Sequence, residues 1–310
     1  ELSVMAELAR YGPRATSAPR LTYDQAVAYC RRLAQHHYEN FSVASRLLPR
    51  RLVPHFHAIY AYCRWADDLA DETPSAAASL HLLDWWQEQL EKCYAGAPEH
   101  PVFVALAGTI EQFSIPQEPF LRLLAAFRQD QHVCRYETPD AVLAYCRNSA
   151  DPVGRLVLYV TGCHDEARAR LADSISTGLQ LANFCQDVAR DWARGRIYLP
   201  RTMLEQAGCD EASFGSGRAS PAFRHALRVE VDRAERYLRA GAPLAAHMPA
   251  AMKLQVGLFA GGGLRILQAI RRLDYDVWRK RPTVSSLARL GLLASAWWQT
   301  RRTFIPGGVA

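Results

Sequence analysis

Two pairs of aspartates, each spaced by four residues and lying 120 residues apart, restrict what this chain can fold into. The first pair lies in Tyr60-Ala61-Tyr62-Cys63-Arg64-Trp65-Ala66-Asp67-Asp68-Leu69-Ala70-Asp71. The second lies in Gln180-Leu181-Ala182-Asn183-Phe184-Cys185-Gln186-Asp187-Val188-Ala189-Arg190-Asp191. Both segments are otherwise largely apolar, and a charged residue is rarely buried in such surroundings without a partner. A helix of about 3.6 residues per turn resolves the conflict. It gathers Tyr60, Arg64, Asp67 and Asp71 on one stripe and Gln180, Asn183, Asp187 and Asp191 on another. Ala61, Leu69, Leu181 and Val188 then point elsewhere. Carboxylates one turn apart repel by about a few tenths of a kcal/mol, and a cation between them removes that penalty. Hard oxygen ligands without clustered His or Cys suit Mg²⁺, which takes one or two carboxylates together with substrate phosphates. Two such stripes facing each other form a metal clamp for a diphosphate. A solvated helix face would account for one DxxxD, but not for two in apolar surroundings with an aligned Gln and Asn.

The rest of the chain supports an all-α reading. Thr22 and Gln25 make a capping-box pattern ahead of helical periodicity that runs to about His37. Pro54 opens a helix that runs through Asp71. Further helices are predicted near 79–94, 101–113, 117–130, 139–147, 152–162, 165–193, 219–246, 249–272 and 283–300. Strand alternation is nearly absent. Residues 1–20 carry Gly12, Pro13, Ser17 and Pro19 among polar residues and read as a flexible arm before one domain over 21–310. Residues 193–218 read as irregular. Gly261-Gly262-Gly263 follows no strand, so it is no dinucleotide fingerprint, and close helix packing or room for a ligand explains it better.

Composition narrows the function classes. The 310 residues are 49% hydrophobic and 22% charged, with a net charge of +6 in which Arg far outnumbers Lys. Guanidinium suits bidentate phosphate contacts, and Arg190, Arg194 and Arg196 cluster beside the second motif. No nucleic-acid reading motif is present, and no nucleic-acid partner is expected. The eight cysteines include no CxxC pair; several lie within apolar helical patterns and read as buried thiols, and a reducing cytosol is expected. No apolar run reaches the about 18 residues of a spanning helix. Near the C-terminus, Trp297-Trp298 beside Arg301 and Arg302 leave two readings open. One is an interfacial helix that brings the chain to the inner membrane surface. The other, preferred, is a final core helix with snorkelling arginines.

The Ile59–Asp71 stretch, the Asn183–Asp191 segment, the Arg196-Ile197-Tyr198-Leu199-Pro200 run and the Tyr275–Val284 tail together resemble the squalene/phytoene synthase family. The resemblance covers roughly residues 22 to 290. It implies a single-domain, all-α class I isoprenoid synthase bundle around a central cavity. Asp67, Asp71, Asp187 and Asp191, with neighbouring Asp68, would bind Mg²⁺. Tyr60, Arg64, Gln180, Asn183, Arg196 and Tyr198 would surround a prenyl diphosphate. Asn40, Phe41, Lys280 and Arg281 would join the substrate site. Departures from the common pattern point to one branch. The chain has Glu39-Asn40-Phe41 in place of a basic residue and Ser before the Phe, Gln186 where relatives commonly carry Arg, and Asp151 where many carry a small residue. Gly263 stands where a tyrosine is frequent. These features are most similar to the bacterial hydroxysqualene synthase (HpnC) branch linked to hopanoid biosynthesis, which converts presqualene diphosphate and water to hydroxysqualene without reduction. Other enzymes of hopanoid biosynthesis are then conceivable partners, and no nicotinamide cofactor is needed. Gln186, Glu39 and Asp151 together make the site less positive, as a single diphosphate would allow.

Asp151 has two readings: a cap for the helix that Pro152 opens, or a carboxylate that directs the capturing water. Alternatives to the overall function are head-to-head condensation to presqualene diphosphate, squalene or phytoene, and head-to-tail chain elongation. The second motif does not fit elongation, because it is not a DDxxD. A di-iron bundle would need Glu-x-x-His pairs, which the chain lacks. A non-catalytic membrane-associated scaffold leaves both acidic stripes unexplained.

Overall fold

Helix starts in this chain are written into short polar signals, and a computed structural model, which describes residues 4–15, 19–36 and 48–283, bears most of them out. Every element is helical apart from an isolated parallel bridge between Arg135 and Ile197, so the all-α expectation holds among the described residues. The chain forms two compact units. One comprises residues 1–133 and 155–164, the other residues 134–154 and 165–310.

The first unit contains α1 (Val4–Tyr11), α2 (Tyr23–His36), α3 (Val53–Asp71), α4 (Ala76–Tyr94), α5 (Pro101–Phe113) and α6 (Glu118–Gln129). The capping box of α2 closes as read: Thr22 N donates to Gln25 Oε1 at 2.9 Å and Gln25 N to Thr22 Oγ1 at 3.4 Å. Ser75 caps α4 by accepting from Ala78 N at 3.2 Å, a bond type that contributes about 1 kcal/mol. The core is aromatic. Trp65 stacks on Trp86 with ring centroids 5.2 Å apart, and His100 meets Trp65 edge-on at 4.5 Å. Two buried polar atoms of α3 are satisfied within this core. Tyr62 Oη donates to Phe120 O at 2.9 Å, and Trp65 Nε1 donates to the Tyr29 hydroxyl at 3.2 Å.

The expectation of a flexible arm over 1–20 needs correction at its start. Val4–Tyr11 is helical, with Val4 and Tyr11 buried. Tyr11 packs edge-on against Tyr29 at 5.6 Å and His100 at 5.7 Å. Its aromatic ring ties the segment down more than Gly12 and Pro13 loosen it.

The second unit begins with α7 (Pro139–Ser149). α8 (Asp151–Val160) starts in this unit and ends in the first. The unit continues with α9 (Glu166–Gln186), α10 (Val188–Ala193), α11 (Arg201–Gln206), α12 (Glu211–Gly215), α13 (Pro221–Gly241), a 3₁₀ turn (Ala242–His247) and α14 (Ala250–Arg272). α9 packs along α13 and α14. The approach is close enough that a Cβ on Gly263 would lie 2.8 Å from Leu238 Cδ1, and one on Gly178 would lie 2.8 Å from Leu238 Cγ. Gly263 therefore serves helix packing. The helix read as continuous over 165–193 is interrupted at Asp187, and part of the stretch read as irregular is α11 and α12.

Candidate active site

The first acidic motif rides on the unbroken last turns of α3. Asp67 is about half exposed at 49% and Asp71 is exposed. Asp68, one position further round, is buried at 3% and engages Arg64 from the preceding turn. Arg64 Nε donates to Asp68 Oδ2 at 3.0 Å while Nη2 closes on Oδ1. The same guanidinium stands 3.7 Å from Asp67 Oδ2 and from Glu72 Oε1. Burial pushes the Asp68 carboxyl up to about 7, with Arg64 working against the rise. Asp68 is thus turned inward as the partner of Arg64, apart from the outward pair Asp67 and Asp71. Tyr60, half-buried, starts the same stripe. The helix end is pinned because Ala70 O accepts from Ser79 Oγ at 3.0 Å and from Gln131 Nε2 at 3.2 Å. Asp71 therefore sits at a fixed helix C-terminus, where the partial negative charge of the backbone adds to the attraction for a cation.

The second motif straddles a break. Asp187, with φ −104° and ψ 16°, ends α9 and precedes α10. The backbone ladder nevertheless continues, with Asp187 N donating to Asn183 O and Asp191 N to Asp187 O, both at 2.9 Å. The two carboxylates therefore stay one turn apart. Asp187 is mostly buried at 13%, while Asn183 is exposed and Gln180 half-buried. Burial first and the Asp187 charge second push Asp191 up to about 7, against the pull of Arg194, Arg196 and Arg190. Arg196 N donates to the backbone carbonyl of Asp191 at 2.8 Å, which closes the 191–196 turn, and Gly195 supplies the positive φ of 75° that the turn requires.

Two groups act here that the spacing alone did not reveal. Arg281 Nε donates to Asp187 Oδ1 at 2.5 Å and Nη2 donates to Oδ2 at 2.8 Å, a bidentate clamp. Gln186 Nε2, buried beside it, donates to Pro282 O at 2.6 Å. The inference that Gln186 leaves this corner short of a cation is therefore corrected: Arg281 supplies one from 94 residues along the chain. Lys280 is exposed.

Tyr198 lies in an aromatic cluster. It stacks on Phe184 at 3.9 Å with planes 6° apart, and neighbours Tyr136 at 5.7 Å and Tyr145 at 5.8 Å. Ile197 N donates to Cys134 O at 2.9 Å and thereby registers the Arg196–Tyr198 run against residues 134–136. Asp151 is buried as the first residue of α8, and its Oδ1 accepts from Thr177 Oγ1 of α9 at 2.8 Å. Asn40, Phe41 and the Trp-rich C-terminal segment lie outside the described residues.

No group of three or more His, Cys, Asp or Glu is gathered among the described residues. Each motif offers two carboxylates, one of which already draws a guanidinium. This all-oxygen donor set fits Mg²⁺, which fills its remaining positions with water and substrate phosphate.

The family model for squalene/phytoene synthase matches residues 34–288. The chain belongs to the squalene/phytoene synthase family. Among family relatives, it is 29% identical to a phytoene synthase of Arthrospira platensis over 293 residues, which is 90% of this chain and 95% of the relative. It is 45% identical to the crystal structure of squalene synthase HpnC from Alicyclobacillus acidocaldarius, with a TM-score of 0.79, covering 82% of this chain and 95% of that one. A dehydrosqualene synthase in complex with a ligand shares the fold, with a TM-score of 0.82 at 24% identity, covering 90% of this chain and 98% of that one. The chain is accordingly an all-α isoprenoid synthase that acts on a prenyl diphosphate. No helix among the described residues is long and apolar enough to cross a membrane. The eight cysteines are free, with Cys134 exposed.

Proposed function

We propose that this squalene/phytoene synthase relative ionises presqualene diphosphate and lets water capture the rearranged cation, releasing hydroxysqualene and diphosphate. The observation that carries the reading is Asp151. Its carboxylate is buried, held by Thr177 of α9, in a helical segment that is otherwise largely apolar. The 45% identity to the HpnC structure supports the same branch.

Asp67, Asp71, Asp187 and Asp191 would hold Mg²⁺, which when bound draws negative charge off the leaving diphosphate. Arg196 and Arg194, close enough to Asp191 to favour its ionised form, orient the diphosphate. The bond between C1 and the bridging oxygen breaks, and its electron pair leaves with the diphosphate. The aromatic cluster of Tyr136, Tyr145, Phe184 and Tyr198 would give the isoprenoid cation an apolar, π-rich wall and exclude bulk water. Asp151 accepts a proton from one water as that water's oxygen bonds to the cationic carbon. Thr177 fixes the direction of the carboxylate by donating to Oδ1. No reductant is consumed. The eight free cysteines fit an enzyme of a reducing, cytoplasmic compartment.

Head-to-head condensation of two prenyl diphosphates is the second reading, favoured by the phytoene synthase relatives. The test is Asp151→Asn, because Asn keeps the size and caps a helix nearly as well but is a far poorer base. The hydroxylated product should give way to other cation-derived products while thermal stability holds. Hydroxysqualene at an unchanged rate would remove Asp151 from the reaction.

A further inference from the structure

The segment after α14 is laid across the second acidic motif by a series of fixed points. Asp274 and Tyr275 adopt left-handed φ values of 49° and 59°, which turn the chain sharply as it leaves the helix. Non-glycine residues seldom take this conformation, and here surrounding contacts hold it. Arg224 pairs with Asp274, and Arg228 lies over the Tyr275 ring at 5.5 Å. Val277 is buried, and Trp278 packs edge-on against Phe214 at 5.2 Å and tilted against Phe223 at 5.7 Å. Three residues later Arg281 grips both oxygens of Asp187, and Gln186 holds the carbonyl of Pro282. The cation at this corner thus sits on a strap anchored at Trp278 rather than on α9 itself. A guanidinium on α9 would be fixed beside Asp187, whereas one on a strap can leave.

We propose that Arg281 is an exchangeable counter-cation of Asp187, positioned by Gln186, and that metal loading of the second motif displaces it together with residues 279–283. This rests on the functional reading above, since it takes Asp187 as a ligand for Mg²⁺. In the unloaded protein Arg281 neutralises Asp187 beside Asp191, and Arg190 stands 3.7 Å away as a weaker partner. A divalent ion must compete with the bidentate pair for the same two oxygens. Once displaced, the guanidinium is free to meet an incoming diphosphate, so the exchange couples metal and substrate binding. Gln186 is a positioning residue in this scheme. Its amide donates to the strap at Pro282 O, and its substitution acts through Arg281.

The test uses the full chain with Mg²⁺ and inorganic diphosphate as probes, read by calorimetry and by hydrogen exchange over residues 277–283. Arg281→Ala removes the competitor, so Mg²⁺ alone should bind about fivefold to tenfold more tightly, the scale of a partly exposed charge pair. Gln186→Leu should move Mg²⁺ affinity the same way by less, and should speed exchange in the strap without Mg²⁺. In the unsubstituted protein, Mg²⁺ with diphosphate should raise exchange over the same residues. Unchanged or weaker Mg²⁺ binding by Arg281→Ala, or strap exchange indifferent to Mg²⁺ and diphosphate, overturns the exchange and leaves the functional reading standing. No Mg²⁺ binding by the unsubstituted chain overturns both. Wild-type melting behaviour of the two variants excludes misfolding as the cause of any shift.

Discussion

The two acidic corners share the DxxxD spacing and differ in where their positive charge comes from. In the first, the helix is unbroken and the cation is local: Arg64 reaches Asp68 one turn away and leaves Asp67 and Asp71 turned outward. In the second, the helix breaks at Asp187 and the cation arrives from Arg281, with Gln186 holding the strap. Identical spacing therefore produces two electrostatic settings. A local pair moves with its helix and is largely structural, whereas a distant pair can be exchanged and is available to function.

The largest effect that sharpens this comparison is on turnover. Asp67→Ala, Asp71→Ala, Asp187→Ala and Asp191→Ala should each lower the rate by about 100-fold or more, the upper end for loss of a metal-site group. Helicity by circular dichroism should not change. Full activity in EDTA would break the comparison at its root, because neither corner would then be a metal site.

Asp68→Ala should behave differently from its neighbours. Removing the buried partner leaves Arg64 uncompensated. Since Arg64 is 25% exposed, about 2 kcal/mol of stability should be lost rather than the 3–5 kcal/mol typical of a fully buried pair. Urea unfolding would measure it. A loss of turnover as deep as that of Asp67→Ala, with stability intact, would show that Asp68 belongs with the metal ligands after all.

A comparable effect, of about 2 kcal/mol, follows from the core beneath the first motif. His100 is fully enclosed by Trp65, Trp85, Trp86 and Phe103, and its Nδ1 accepts from Val102 N at 3.2 Å. Burial pushes its pKa down from 6.5 to about 3. Because the folded value is depressed, the unfolded chain takes up a proton as pH falls below about 6.5 while the folded chain does not. Stability from this group is thus fully present above pH 6.5 and declines towards pH 3. By pH 5 the loss should be about 2 kcal/mol, followed by tryptophan fluorescence during urea unfolding. His55 and His57, also lowered by burial, act in the same direction. A flat profile between pH 7 and pH 5 would mean that the cage admits the charged ring.

Much of this architecture was legible in the residues, because its determinants are local. The Thr22–Gln25 box, Pro54 and Pro101 mark helix starts within a residue or two of where α2, α3 and α5 begin. The break at Asp187 has no local sequence signal, because the apolar pattern runs through it just as the backbone ladder does. The residues α11 and α12 occupy read as irregular because five or six residues are too few to display a period. Buried Val4 and Tyr11 were hidden by the glycine and proline that follow them. At the site, the stripes follow from spacing, and the inward turn of Asp68 could have been found from its i,i+4 relation to Arg64. The partnership of Arg281 with Asp187 had no sequence signal, since tertiary folding alone joins residues 94 apart. Reading Gln186 by itself therefore suggested a missing charge where the structure has a relocated one.

The central claim, diphosphate ionisation with water capture, is tested most directly by product analysis in ¹⁸O-labelled water. The purified protein is given Mg²⁺ and presqualene diphosphate without NADPH, and farnesyl diphosphate in a parallel reaction. The account predicts hydroxysqualene carrying ¹⁸O from presqualene diphosphate, the same product when NADPH is added, and none when EDTA removes the metal. Squalene formed only with NADPH, or condensation of farnesyl diphosphate with presqualene diphosphate left unconsumed, would contradict it.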